Sequence, residues 1–176
     1  IKSLCSKTIL MKNGTITKYG KTDEVINTYL NDSSSNSVIP LSERNDRKGS
    51  GKLIADSIKL YNSNNIETSE FIPGERIKLI FKLKGNLESG KFLFNVIFTN
   101  NFGSAVAMFR SDEINPSLEL NTEKIISIEI PELNLRPEHY NLSYYLANNS
   151  FSPENFYDSL ENCISFEVLN YDYFKS

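Results

Sequence analysis

The sequence predicts an all-β protein built from two packed antiparallel sheets, a β-sandwich. Three observations predict it. Short apolar–polar alternations of period two recur along residues 54–169, bounded by Gly, Pro, Asn or Asp. No amphipathic helical pattern longer than about ten residues interrupts them. The stretch from Ile125 to Leu146 reads as strand, corner, strand. In it Ile126, Ile128 and Ile130 alternate with Ser127 and Glu129, and Pro131, which has no N–H to give, ends the ladder. Leu133 and Leu135 can tuck beneath a turn at Arg136-Pro137-Glu138. Tyr140, Leu142, Tyr144 and Leu146 then alternate with Asn141, Ser143 and Tyr145. A polar crossing over leucines, followed by a Tyr-x-Leu strand, is a common way to carry a chain between two sheets.

A length of 176 residues fits one domain with an appendage, enough to bury a core without staples. The net charge of −3 and a pI near 5.3 exclude the basic footprint of nucleic-acid or anionic-membrane binding. Cys5 and Cys163 stand far apart and form neither a disulfide framework nor a metal spacing, which permits a reducing compartment. No run reaches the length of a transmembrane helix, and no signal-peptide pattern is present. The first residue is Ile, so the chain is expected to be a piece of a longer protein.

In chain order, residues 7–18 predict a hairpin turned by Asn13-Gly14, because both central residues of a type I′ turn need positive φ. Thr22 can cap a short helix with Asp23 and Glu24 in its first turn and a stripe of Val25, Ile26, Tyr29 and Leu30. This hairpin–helix piece, residues 1–30, has too little apolar surface to stand alone. Residues 31–44 are Ser- and Asn-rich and read as a linker. The sandwich is expected over 45–170, with a tail at 171–176. Its strands, about eight, are expected at Ile54–Leu60, Ile66–Phe71, Arg76–Leu83, around Phe92–Phe98, at Ser104–Arg110, the two flanking the corner, and Cys163–Leu169. Residues 111–124 and 148–162 are expected as loops, and the second is long enough for the last strand to cross to a partner, giving a two-fold dimer.

Motifs for chemistry are weak. Gly49-Ser50-Gly51-Lys52 looks like the end of a phosphate-binding loop, but Asp46 and Leu53 occupy positions that need Gly and Ser or Thr, and a strand follows where a helix is required. His139, the single histidine, has no evident catalytic or metal partner and fits a solvated edge position. The carboxylates Asp112 with Glu113, and Asp158 with Glu161, fall in expected loops and read as solvated. No catalytic residue, cofactor or metal is expected. The outward positions are more informative. Asn95, Asn141, Ser143 and Tyr145 are expected on one solvent-facing sheet surface, with Phe109, Arg110 and Asp112 overhanging it where a strand ends. Flat rings for the C–H face of a sugar, with amides and charges for its hydroxyls, are the mixture that binds carbohydrate; on these residues alone an ordinary polar sheet face is the alternative. Arg110 also suggests an anionic group on the ligand.

Two stretches carry a family resemblance. Leu4–Ile16, Tyr19-Gly20 and Glu24-Val25-Ile26 with Tyr29 resemble the C-terminal end of an ABC-transporter ATPase, with Ser6-Lys7 where Asp-Arg is usual; the nucleotide-binding motifs and switch histidine of that family are absent. Arg47, Gly49-Ser50-Gly51, Ile54, Pro73-Gly74-Glu75, Gly103, the run Pro131, Leu133, Leu135, Pro137, Tyr140, Leu142, and Phe166 with Val168 resemble the C-terminal domain of the polysaccharide-exporting ATPases called Wzt. The resemblance implies an immunoglobulin-like, non-enzymatic module that recognises the non-reducing end of lipid-linked O-antigen polysaccharide. It implies a homodimer with exchanged terminal strands, a transmembrane permease as partner of the parent ATPase, and a cytoplasmic place at the inner membrane. The alternative is a module that dimerises the ATPases and binds no glycan.

Overall fold

The structure, a computed structural model, describes residues 4–34, 40–87, 91–115, 117–120 and 122–170. The tail at 171–176 and part of the linker therefore lie outside the described residues. Near the N-terminus β1 (Lys7–Lys12) and β2 (Thr15–Lys21) form the expected hairpin. Asn13 and Gly14 both have positive φ, as the tight turn requires. Helix α1 (Thr22–Ser34) follows at once and continues four residues into the stretch whose composition suggests a linker. Thr22 is buried at the helix start, where its hydroxyl donates to the Cys5 carbonyl and accepts from Thr8. It thus ties helix to hairpin.

The sandwich has nine strands among the described residues. β3 (Leu53–Tyr61), β5 (Ile77–Gly85) and β9 (Ile125–Ile130) form a three-stranded sheet in the order β3-β5-β9. The larger sheet contains β4 (Glu70–Phe71), β6 (Lys91–Asn100), β7 (Ala105–Arg110), β10 (Glu138–Ala147) and β11 (Phe156–Val168), in the order β4-β11-β10-β6-β7, with β8 (Leu118–Glu119) on the end of β6. All pairings are antiparallel except the short one between β4 and β11.

Alternation puts the expected residues inside. Ile77, Leu79, Phe81 and Leu83 of the small sheet are buried against Phe92, Phe94, Val96, Phe98, Tyr140, Leu142, Tyr144 and Leu146 of the large one. Edge-on ring contacts join the layers: Phe81 meets Phe94 at 4.8 Å and Tyr144 at 5.8 Å between centroids. The corner closes as its leucines suggest. Leu133 is buried and exchanges backbone hydrogen bonds with the Pro73-Gly74-Glu75 turn, and the Tyr140 hydroxyl donates to the Arg136 carbonyl at 2.8 Å. That last bond is the tyrosine-corner device of immunoglobulin-like sandwiches.

Three expectations are corrected. Of residues 66–71 only Glu70–Phe71 forms a strand, apart from a lone bridge between Tyr61 and Glu67. The loop expected at 148–162 ends at 155, because β11 begins at Phe156 and pairs with β10 along its length. A fifteen-residue crossing to a partner is therefore absent, and β11 closes a hairpin within its own chain. Asp158, expected to be solvated, is 2% exposed.

The burial of Asp158 is made possible by what surrounds it. Its Oδ2 accepts from Arg47 (2.6 Å), the Tyr144 hydroxyl (2.5 Å) and the Ala55 N–H (3.0 Å). Arg47 also donates to the Tyr144 hydroxyl and to the carbonyls of Leu41 and Ala55. Burial and the adjoining carboxylate push the Tyr144 phenol up, so it remains a donor. Nearby, Arg44 grips Asp46 through two 2.7 Å bonds and donates to the Glu161 and Asn162 carbonyls.

Breaking a buried pair leaves an uncompensated charge, whereas removing one hydroxyl loses one ordinary hydrogen bond. Asp158→Ala should cost about 3–5 kcal/mol of unfolding free energy, and Tyr140→Phe only about 1 kcal/mol, measured by urea denaturation. A smaller loss for Asp158→Ala than for Tyr140→Phe would refute this ranking.

Candidate carbohydrate-binding face

The register of the large sheet brings three of the seven expected site residues into one row. Arg110 on β7 lies opposite Asn95 on β6, and Asn95 lies opposite Tyr145 on β10. Cross-strand neighbours of this kind have Cβ atoms about 4.5–5.5 Å apart. Each alternates with a core residue, so the row projects from the outer side of the sheet. Asp112 joins it from the short turn after β7: Arg110 donates to both Asp112 oxygens, at 3.0 and 2.6 Å.

The other expected residues are placed differently. Phe109 points the opposite way, as its neighbour Arg110 dictates, and packs edge-on against Phe98 at 5.5 Å. Ser143 faces outward but is buried, because β11 bulges opposite it. Tyr144 pairs with Leu160 and Leu142 with Ile164, so three β11 residues span one on β10. The Ser143 hydroxyl accepts the Asn162 N–H of that bulge at 3.0 Å. Asn141 lies further along the same face, its amide oxygen engaged by the Ser165 hydroxyl at 2.7 Å.

Two aromatic residues complete the row. Phe151, from the loop between β10 and β11, has its ring 5.1 Å from the Arg110 guanidinium, and Phe156 lies 5.5 Å from the Tyr145 ring. The loop therefore reaches over the end of the face, and Asn95, although outward, is only 7% exposed. Phe151 and Phe156 are missed by strand periodicity. Their signal is two aromatics within the Asn- and Ser-rich run 148–156. Met108, half-exposed, lies one outward step from Arg110, with its sulfur 3.8 Å from the Asn95 amide nitrogen.

A second concavity opens on one side of the sandwich, where edge strands β7 and β9 stand apart. It holds about 400 Å³, is lined by Phe94, Phe109, Ile114, Leu118, Ile126 and Ile128, and meets the outer row at Met108 and Arg110, which also line it. The glycine-rich segment is no phosphate cradle. The Ser50 and Gly51 N–H groups donate to the Phe156 and Tyr157 carbonyls, and Gly49 sits so close to Tyr157 that a Cβ would meet its backbone at 2.7 Å. His139 is on the surface, 3.7 Å from a Glu167 oxygen. Among the described residues no cluster of metal-ligating side chains occurs, and no helix is long and apolar enough to cross a membrane.

Residues 44–175 match the family model of the Wzt C-terminal domain. The chain belongs to that family. A solved structure described as the C-terminal domain of wzt superimposes with a TM-score of 0.61 at 11% identity, covering 76% of this chain and 84% of that one, a likeness of fold. No curated protein matches. The Wzt match begins at Arg44, whose side chain is buried against the β11 bulge, so β1, β2 and α1 lie outside it.

Arg110 holds the Asp112 carboxyl below its ordinary value, and Asp112 raises Arg110 in turn; partial desolvation opposes both. A depressed carboxylate stays ionised until the pH falls through its lowered value, so the pair persists above that point and is lost below it. Carbon-detected NMR titration should place the Asp112 midpoint below the ordinary aspartate range. Arg110→Ala should return it towards the ordinary carboxylate range. An unchanged midpoint in that variant would show that the pair does not form.

Proposed function

We propose that this chain is a non-catalytic carbohydrate-binding module that takes the non-reducing end of O-antigen polysaccharide for export by an ABC transporter. The observation that carries this reading is the Arg110–Asn95–Tyr145 row with its flanking rings, on a sandwich of the Wzt C-terminal family. The rings offer flat apolar surface to the C–H face of a sugar. Asn95, Arg110 and Asp112 offer one acceptor, one cation and one anion to its hydroxyls. No covalent step is required of them.

On this reading residues 1–30 are the end of the transporter's ATPase domain, 31–44 join it to the sandwich, and 45–170 bind glycan. Its partners are the polysaccharide and, through the parent ATPase, a transmembrane permease; its place is the cytoplasmic side of the inner membrane. A homodimer belongs to the same proposal. The open side between β7 and β9 favours a second reading, in which the module chiefly joins two copies. Among the described residues both sheets end there in an unpaired edge, and Val106, Met108 and Ile114 are exposed beside it.

Isothermal titration with the source strain's own polysaccharide, with light scattering on the same sample, separates the two. The first reading expects saturable binding. Tyr145→Ala and Arg110→Ala should each weaken it by about 1–3 kcal/mol, on the scale of a lost stacking platform. Arg110→Ala should leave the melting temperature nearly unchanged, as surface changes usually do. Tyr145 is half-buried against Phe156, so its variant should melt somewhat lower. A dimer that binds no polysaccharide would favour the second reading. Parent-like binding by both variants would move the site off this face.

A further inference from the structure

The Asn95 side chain is more than nine-tenths buried, yet its Oδ1 has no hydrogen-bond partner. It is the unsatisfied buried side-chain atom among the described residues. Such groups are rare because losing water without gaining a partner is costly. The residue is not displaced from the sheet, for its backbone neighbours Phe94 and Val96 pack normally in the core. Its amide nitrogen meets the Met108 sulfur, a weak acceptor. The outer surface at this point thus holds a buried acceptor aimed at no protein group.

The charge beside it is already balanced. Arg110 spends its Nε and one terminal nitrogen on both Asp112 oxygens. The row therefore presents a neutral ion pair, an unpartnered carbonyl oxygen and aromatic rings. A carboxylate or phosphate placed here would meet the Asn95 oxygen lone pair against lone pair, and would find the Arg110 charge already offset by Asp112. A neutral sugar would do neither, because each hydroxyl or acetamido N–H can donate to Asn95.

We propose that Asn95 Oδ1 is the hydrogen-bond acceptor for a hydroxyl or amide N–H of a neutral sugar, reached when the Met108 side chain moves off it. The assignment rests on the glycan reading of this face and narrows it to neutral, donor-bearing sugars, replacing the anionic ligand that Arg110 suggests in the sequence. Met108 suits the covering role, being flexible and half-exposed. The unpaired oxygen then belongs to the unliganded state and is satisfied on binding.

The test is titration of the whole chain with methyl glycosides of a neutral hexose, an N-acetylhexosamine and a hexuronic acid, followed by ligand-observed NMR, alongside melting of each variant. The parent should bind at least one neutral glycoside, and the hexuronate about tenfold more weakly or not at all. Asn95→Leu, close in size but without an acceptor, should lose about tenfold in affinity for the neutral glycoside, the scale of one hydrogen bond. Its melting temperature should hold or rise, since an unsatisfied buried group is gone. A merely structural asparagine would not give that pair of changes. Asn95→Val is the second variant, and failure of both to fold would make Asn95 a structural amide and overturn the proposal. Parent-like binding by Asn95→Leu, with binding lost in Tyr145→Ala, would remove Asn95 and leave the glycan reading standing. Equal binding of hexuronate would overturn the neutral class. A parent that binds none of the three would overturn both.

Discussion

The sandwich depends on a buried carboxylate. Asp158 sits on β11 in the large sheet, accepts a hydrogen bond from the Tyr144 hydroxyl on β10, and accepts the Ala55 N–H from β3 in the small sheet. Arg47, from the segment entering the domain, supplies the opposing charge and ties off two carbonyls as well. Apolar packing brings the sheets together without direction, whereas these bonds fix which strand faces which. Burying a charge is tolerable only when it is paired and saturated with donors, and here one oxygen collects three. Through Arg47 the same network anchors the entering chain to both layers.

That arrangement shapes the outer face. Because β11 is held at Asp158 and pairs with β10 on both sides of the 161–163 bulge, its extra residues must arch outward, where Arg44 and Ser143 meet them. The bulge takes Ser143 out of the accessible surface. At the other end, the loop into β11 carries Phe151 across to Arg110 and Phe156 beside Tyr145. What remains between is a short row, bounded by rings and by an ion pair, rather than a flat polar sheet. The shape of this row is thus a consequence of how the last strand is seated.

Much of this was legible in the residues. Period-two alternation identifies Ile77–Leu83, Phe92–Phe98 and Tyr140–Leu146, because a sheet with one buried face leaves no freedom of register there. The inner and outer assignments on β6 and β10 follow from that alone; the pairing of Asn95 with Arg110 and Tyr145 does not, because alternation gives a face and not a partner. The start of β11 was not legible: Phe156-Tyr157-Asp158-Ser159 does not alternate, since Asp158 faces the core. A buried aspartate is visible only through Arg47 and Tyr144, which lie 111 and 14 residues away in sequence. Phe109 was assigned outward with Arg110, although adjacent strand residues cannot share a face. The depth of Asn95, whose amide meets Met108 on the neighbouring strand, is not given by alternation, which assigns it only a face.

The central claim is that glycan meets the outer row and not the open side of the sandwich. Backbone and side-chain amide NMR of the 176-residue chain, titrated with the source strain's O-polysaccharide, tests it most directly. The account predicts the largest shift changes at the Asn95 side-chain amide, Arg110, Tyr145 and Phe151, with Leu118, Ile126 and Ile128 nearly still. The largest changes at Leu118, Ile126 and Ile128, with the row unmoved, would contradict it.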